Sequence, residues 1–434
     1  MEYLLVELAD SKDVKEVKTV LEKSGKLNKN EKIRRENNGV FKIYTRICEK
    51  TEWEGIMMEE IGRIIDHQLG TYRERTVEAA GIVGCFERYI DGELKRRGTV
   101  VEEDIVRQLR LSLPKKYSVY PPMLLLSGQT LELEVWKDHT RFFPQLLEQE
   151  FPQCTHIAVN KPIIESDVMR RPFNLVPVYG NFGPEPTDTL FTNPSKANFK
   201  EAFWCSVVQN GITQHWAPRY TMFSRGNIKE KKRVLQLSKQ KQNLNTLPVA
   251  VDMYSGIGYF TLSYLANGYT VFCWELNPWS IEGLIRGLTA NHHSYLVIGA
   301  DEVLDSKKYH AAISSGVRAF VFNESNEESM RRFEQLSVPM DLQHINLGLL
   351  PSSKDSWGSC TRMVNEISNN KETQIHVHEN VSINDFDTFT NETLEFFQKD
   401  CFAKFLHLEK VKTFAPDVWH VVLDYLVSPR KGDS

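Results

Sequence analysis

At 434 residues and a formal net charge of −4, the chain has room for two or three domains and carries no global basic field, so any nucleic-acid surface must be a local patch. Seven cysteines, at 48, 85, 154, 205, 273, 360 and 401, form no CxxC pair. That pattern argues against a metal site or a disulfide framework and for a reducing, cytoplasmic setting. The apolar start is short and carries Glu2 and Glu7, so it reads as a strand and not as a signal peptide, and no other run suits a bilayer.

Residues 1–115 read as an accessory α/β domain. Strands are expected at Tyr3–Leu8 and Gly39–Ile47, with a charged helix at Asp13–Lys23 between them and an exposed loop at Asn28–Asn38. Helical spacing of Ile56, Met57, Ile61, Ile64 and Ile65 predicts a helix over Trp53–His67, and a less regular pattern predicts another over Val77–Leu94. Residues 116–242 are rich in Pro, Gly and short apolar runs, which implies a small mixed α/β domain. It closes with Phe203–Val208, an Asn210-Gly211 turn, Ile212–Trp216, and a basic helix from Lys229 to Gln242.

From 243 to 434 strand-like and helix-like segments alternate. Strands are expected at Val249–Met253, Tyr269–Trp274, Tyr295–Ile298, Ala319–Phe322, His344–Leu347 and Thr373–His378, with a final pair near Phe405–Thr413 and Val418–Leu426. This is the layout of a Rossmann-type doubly wound α/β sheet.

Its sharpest feature is the first strand with its turn, Val249 to Phe260, followed by Glu275 at the tip of the second strand. Ser255, Gly256 and Gly258 let the backbone approach a ligand, and a strand-tip acid such as Glu275 suits ribose hydroxyls. The turn lacks the third glycine of a dinucleotide fingerprint and the Lys-Ser/Thr of a phosphate loop. A nucleoside ligand without phosphate fits better, and S-adenosylmethionine is the common one. Asp301 follows the third strand, where such sheets often meet adenine, and is equally a helix cap. Asn323, in Asn-Glu-Ser-Asn after the fourth strand, suits either a ligand contact or a helix start. Asn346–Ser353 is an apolar Gly/Pro-bounded loop that could wall a base pocket or cross over the sheet.

Two segments mix basic residues with turns. Phe223–Arg233 holds Arg225, Asn227, Lys229, Glu230, Lys231, Lys232 and Arg233. Its cations suit phosphates and Glu230 a general base, although the residues alone equally describe a solvated helix face. Arg170 and Arg171 lie on a Pro-bounded segment with the same two readings. The histidines show no metal-ligand spacing.

Taken together, Phe-Ser-Arg-Gly-Asn-Ile-Lys-Glu-Lys (223–231), Asp-Met-Tyr-Ser-Gly-Ile-Gly-Tyr-Phe-Thr (252–261), Trp-Glu-Leu-Asn-Pro-Trp-Ser (274–280) and Asn-Leu-Gly-Leu-Leu-Pro-Ser-Ser (346–353) resemble the tRNA 4-demethylwyosine aminocarboxypropyltransferases of wybutosine synthesis, in their fungal form. Val168–Asn174 fits the same pattern, and the resemblance covers about 150–360. It implies a class I methyltransferase-like catalytic domain. It also implies transfer of the 3-amino-3-carboxypropyl group of S-adenosylmethionine to C7 of 4-demethylwyosine beside the anticodon of tRNA-Phe, with methylthioadenosine released. The implied cofactor residues are Asp252, Tyr254, Ser255, Gly256, Gly258, Tyr259, Glu275, Leu276, Asn277, Asp301 and Asn323. Arg225, Asn227, Glu230 and Asn323 are implied at the reacting end. Arg170, Arg171, Lys229, Lys231, Lys232 and Arg233 are implied on the anticodon arm. The implied enzyme is a monomer needing neither metal nor membrane.

The related tRNA guanine N1-methyltransferases share the fold. The Asn-Pro-Trp-Ser corner (277–280), the Leu-Leu-Pro-Ser-Ser loop, and Asn-Glu-Ser-Asn in place of the methyltransferases' Asn-Leu-Pro favour the aminocarboxypropyl reading. A non-catalytic tRNA-binding protein with a degenerate methyltransferase fold is the alternative of another class, opposed by the intact glycine turn and Glu275.

Overall fold

Period-two alternation places Leu4, Val6 and Leu8 in one core and starts the first of two units, Met1–Val101 and Glu102–Ser434. The computed structural model describes residues 2–29, 31, 33–36, 39–61, 65–73, 81–97, 103–127, 134–160, 172, 175–237, 247–369 and 372–430.

The first unit runs β1 (Glu2–Leu8), α1 (Ser11–Lys23), β2 (Arg34–Arg35), β3 (Phe41–Tyr44), α2 (Lys50–Glu60), β4 (His67–Arg73) and α3 (Gly81–Arg97). Its strands form an antiparallel sheet in the order β2-β3-β1-β4. Asp10 caps α1 by accepting from the Lys12 N–H at 2.9 Å. Two expectations differ here. The helix from Trp53 stops at Glu60, and His67 enters β4, where its Nε2 accepts from Trp53 Nε1 at 2.9 Å. The expected loop at 28–38 contains β2 and a fully buried Asn28.

The second unit opens with α4 (Glu103–Leu111), β5 (Tyr117–Tyr120), β6 (Met123–Ser127), α5 (Phe142–Glu150), β7 (His156–Asn160) and β8 (Leu175–Tyr179), whose strands pair in chain order. Helices α6 (Asp188–Thr192) and α7 (Lys196–Glu201) lead to the hairpin β9 (Cys205–Gln209) and β10 (Ile212–Trp216). Both turn residues, Asn210 and Gly211, have positive φ (53° and 81°), as a two-residue hairpin demands.

Then come α8 (Ile228–Leu235), β11 (Pro248–Asp252), α9 (Thr261–Ala266), β12 (Thr270–Glu275), α10 (Pro278–Ala290), β13 (Tyr295–Gly299), α11 (Ser306–Ser314), β14 (Ala319–Asn323), α12 (Ser329–Leu336), β15 (Asp341–Leu347), α13 (Trp357–Arg362), β16 (Thr373–Ser382), α14 (Phe386–Asp400), β17 (Cys401–Ala415) and β18 (Val418–Pro429). The segments expected as separate middle and catalytic domains thus share one unit. Gly283 of α10 shows how closely they join: a Cβ there would sit 2.7 Å from the His215 carbonyl of β10.

The large sheet has the order β13-β14-β12-β11-β15-β16-β18-β17, with six parallel strands and an antiparallel final pair. Both faces are apolar. Val249, Val251, Phe272 and Trp274 pack under α11–α14, while Ala250, Val271 and Cys273 pack under α8–α10. That double burial is what unbroken apolar runs in a parallel sheet require.

The order carries a correction. Asp301 and Asn323 were expected at the third and fourth strands of the standard order, but β13 lies at the outer edge, and β14, not β13, pairs with β12. The strand beside β11 is β15. The β13–α11 segment is therefore an edge addition that shifts every later strand by one place. Asn-Glu-Ser-Asn follows β14 on the β12 side, so the segment to compare with Asn-Leu-Pro is Asn346-Leu347-Gly348 at the tip of β15.

Candidate functional site

The chain reverses its winding direction between β11 and β15, and the carboxyl ends of these strands open into a cavity of about 620 Å³. Crevices of this kind are where doubly wound sheets bind ligands. The cavity has two ends. One is lined by Met253, Tyr254, Gly256, Glu275, Leu276, Glu324 and Asn326; the other by Ser118, Tyr120, Trp216, Phe223, Arg225, Asn227, Lys412 and Phe414, with Gly348, Leu349 and Leu350 between.

At the first end, Asp252 is fully buried and clasps the turn. It accepts from the Thr261 N–H (3.1 Å), the Thr261 hydroxyl (2.8 Å) and Asn346 Nδ2 (3.1 Å). Burial pushes its carboxyl up and these donors oppose the shift. Gly256 takes φ +54°, and its N–H donates to Glu275 Oε2 at 2.8 Å. A Cβ on Gly256 would come within 2.8 Å of the Tyr259 ring. The second Glu275 oxygen accepts from the Asn277 N–H at 2.8 Å. Burial raises this carboxyl too, against the backbone amides of Asn277, Gly256 and Leu276. Glu275 lines the cavity at the tip of β12, where a carboxylate suits vicinal hydroxyls.

Of the expected cofactor residues, Tyr254, Gly256, Tyr259, Glu275 and Leu276 line the cavity. Four others stand behind it as supports. Besides Asp252, the Ser255 hydroxyl donates to the Trp274 carbonyl (3.1 Å). Gly258 admits Leu284 of α10, whose Cδ1 would lie 2.6 Å from an added Cβ. Asn277 caps α10, accepting from the Trp279 N–H at 3.0 Å. Asp301 and Asn323 are off the cavity. Asp301 is exposed at the outer edge, and Asn323 lines a separate small groove with Thr192, Pro194 and Glu282. Glu324 and Asn326 line the cavity instead. Arg332 fixes Glu324 by two 2.6 Å bonds, and Asn326 Nδ2 donates to the Met253 carbonyl at 2.9 Å.

At the second end, Tyr259 ties the turn to the opposite wall. Its hydroxyl donates to the Met222 carbonyl (2.6 Å) and accepts from the Ser224 N–H (3.1 Å). Trp216 and Phe223 stack at 4.5 Å, with Tyr120 edge-on to both. Arg225 and Asn227 form the turn before α8, and Arg225 Nη1 donates to the Ser118 hydroxyl at 3.0 Å. Asn227 is 9% exposed, and its Oδ1 has no hydrogen-bond partner among the described residues.

The rest of the basic segment faces elsewhere. Glu230 is fully buried against Arg233, with bonds of 2.8 and 2.6 Å, so it is withdrawn from the cavity and from the general-base role. Arg233 also pairs with Asp424 at 2.5 Å. Lys231 is 4% exposed and donates to the side-chain carbonyls of Gln209 (2.8 Å) and Gln214 (2.9 Å) over the faces of Phe223 and Tyr259. Burial pulls its amine down to about 7, while the two carbonyls and two ring faces favour the ammonium. Neither Lys231 nor Arg233 is placed to hold a phosphate. Lys229 is paired with Glu409, and Lys232 is exposed on α8. Arg170 and Arg171 lie outside the described residues.

The profile of the TRM5/TYW2 methyltransferase domain matches residues 206–311. The tRNA wybutosine-synthesizing protein 2 of Saccharomyces cerevisiae is 35% identical over 383 residues, covering 76% of this chain and 78% of that protein. Its Schizosaccharomyces pombe counterpart is 39% identical over 335 residues, covering 74% of each. Among solved structures, Pyrococcus horikoshii TYW2 in complex with MeSAdo aligns with a TM-score of 0.50 at 19% identity, over 79% of this chain and 99% of that one. The complex of aTrm5 and tRNALeu aligns at 0.50 and 16%, over 98% and 100%. At such identities these two speak for the fold, a class I methyltransferase-type sheet. With its glycine turn, its strand-tip acid and its length shared with the two yeast proteins, the chain belongs to the tRNA wybutosine-synthesizing protein 2 family, a family of transferases.

Proposed function

We propose that the cavity binds S-adenosylmethionine at its Glu275 end and the 4-demethylwyosine base of tRNA-Phe at its aromatic end. The product is the base carrying a 3-amino-3-carboxypropyl group on C7. The observation that carries this reading is one continuous chamber with a ribose-type acid at one end and an aromatic-walled space, rimmed by Arg225, at the other. The similarity to the two yeast wybutosine-synthesizing proteins supports the choice of reaction.

S-adenosylmethionine supplies a sulfonium whose Cγ is open to attack, so that the Cγ–S bond breaks as the C7–Cγ bond forms and methylthioadenosine leaves. The residues position that encounter. Glu275 takes the ribose hydroxyls, and Gly256 lets the backbone come close. Asn326 and the Tyr254 wall flank the adenine. Asn227 lies on the wall beside the methionine chain, and Arg225 stands at the rim. Trp216, Phe223, Leu349 and Leu350 enclose the flat base. The lining carboxylates are engaged, Glu275 by amides and Glu324 by Arg332, so the C7 proton leaves to water after the bond forms. The protein acts as a cytoplasmic monomer on the anticodon arm.

The test is incubation with S-adenosylmethionine and tRNA-Phe bearing 4-demethylwyosine, with both products identified by mass spectrometry. Methylthioadenosine with an aminocarboxypropylated base is the expected result. S-adenosylhomocysteine with a methylated base would make the chain a methyltransferase.

A further inference from the structure

Strand β17 forms one edge of the large sheet and loses register with β18 at three places, between Phe405 and His407, Lys410 and Lys412, and Thr413 and Ala415. The skipped residues are Leu406, Val411 and Phe414. Bulges of this kind turn a side chain out of the regular alternation and are common beside sites. Here the last bulge delivers Phe414 to the cavity wall, where the residue remains 49% exposed.

The other aromatic side chains of that wall are committed to each other: Trp216 lies on Phe223, and Tyr120 meets both. Among the described residues no ring packs on Phe414. Its neighbours on the rim are cations. Lys412, two residues earlier, also lines the cavity, and its stem presses on the turn before α8: a Cβ on Gly226 would lie 2.5 Å from Lys412 Cδ. Arg225 adjoins Gly226 and is exposed. The bulged edge strand and the Arg225–Asn227 turn therefore meet, and exposed Phe414 lines the same cavity wall as Lys412 and Arg225. This combination is the one that holds a polyanion with an unstacked base: ring on base, cation on phosphate.

We propose that Phe414, with Lys412 and Arg225, forms a stacking platform for the tRNA nucleobase next to the one that enters the cavity. The platform governs how tightly the anticodon loop is held. It rests on the tRNA-transferase reading above and adds a second base-binding position to it.

The experiment uses the full chain, as wild type, Phe414→Ala and Phe414→Trp. Anisotropy is read with an anticodon stem-loop, intact or abasic at the position 5′ or 3′ of the reacting purine. Phe414→Ala is expected to weaken the intact RNA about tenfold, and Phe414→Trp to restore it. One of the two abasic RNAs is expected to bind wild type and Phe414→Ala alike. Kinetics should show the loss in KM for tRNA and not in kcat, with S-adenosylmethionine affinity by calorimetry unmoved, which also reports an intact fold. Equal binding of the intact RNA by wild type and Phe414→Ala, or the same Phe414→Ala loss on both abasic RNAs, overturns the platform. If wild type forms no methylthioadenosine, the transferase reading fails on that product alone, while the anisotropy still decides the platform.

Discussion

Glu275 illustrates how a single side chain can be held for a ligand by the backbone around it. The Gly256 and Asn277 amides, at 2.8 Å each, fix its carboxylate at the cavity wall. Glu275→Ala is expected to weaken S-adenosylmethionine binding by about 1–3 kcal/mol, the range for a charge-assisted bond. Calorimetric affinity equal to wild type would remove the residue from the ribose. Lys231 calls for the opposite kind of result. Its two carbonyl partners are internal, so Lys231→Ala should cost about 2–3 kcal/mol of stability by urea unfolding. The salt dependence of tRNA binding should stay as in wild type; a flatter slope would put the lysine back on phosphate.

At the scale of the element, α8 is the support for the turn that carries Arg225 and Asn227. Arg233 anchors it by joining Glu230 on the helix to Asp424 on β18, and both carboxylates are almost wholly buried (1% and 3% exposed). Arg233→Met leaves two buried acids without their cation and is expected to destabilise the protein by about 3–5 kcal/mol in a denaturant titration. A loss below about 1 kcal/mol would mean that the acids are otherwise satisfied. The same comparison shows what the sequence could convey. Strand β11, its glycine turn and Glu275 were legible because one local stretch holds the whole device. Lys412 and Phe414 gave no signal, because they reach the cavity only through the bulges of β17 and the order of the sheet. Asp301 and Asn323 misled for a topological reason: strands counted along the chain are not strands counted across the sheet once β13 sits at the edge. Basic residues of α8 looked like a phosphate patch because charge is visible in a sequence and burial is not.

At the scale of the whole molecule, buried histidines link neighbouring strands of the large sheet. Tyr269 donates to His344 (3.1 Å), His344 bonds His376 (3.0 Å) and His376 bonds Asp424 (2.7 Å), while His378 and His420 form a second pair at 3.1 Å. One proton per ring, on Nδ1, satisfies the first chain from end to end. Burial pushes His344 and His420 down to about 3 and His378 well below its ordinary value. Rings held neutral contribute stability that is whole above the unfolded value near 6.5 and is lost as pH falls toward 3, at a cost of about 2 kcal/mol each by pH 5. Glu379, raised by burial to about 7, has the opposite sign, its contribution fading as pH rises from 4.5. It offsets about one histidine at pH 5. The net expectation is a fall in stability between pH 7 and pH 5; a flat profile in urea unfolding would contradict it. A second expectation follows from where the cavity lies. Every described lining residue belongs to Glu102–Ser434, so a chain without residues 1–101 should bind S-adenosylmethionine with wild-type affinity, and a large loss by calorimetry would show that the first unit contributes to the donor end.

Strand β18 is the last of the sheet in the chain, yet it lies between β16 and β17. During synthesis on the ribosome, the Glu275 end can close as soon as β15 has emerged, whereas Phe414 and Lys412 gain a fixed place only when residues through 429 have followed. The donor half therefore matures first and the rim last. A prematurely terminated polypeptide would carry the nucleoside pocket and the Trp216–Phe223 wall but lack Lys412 and Phe414, so its mouth would stay unfinished.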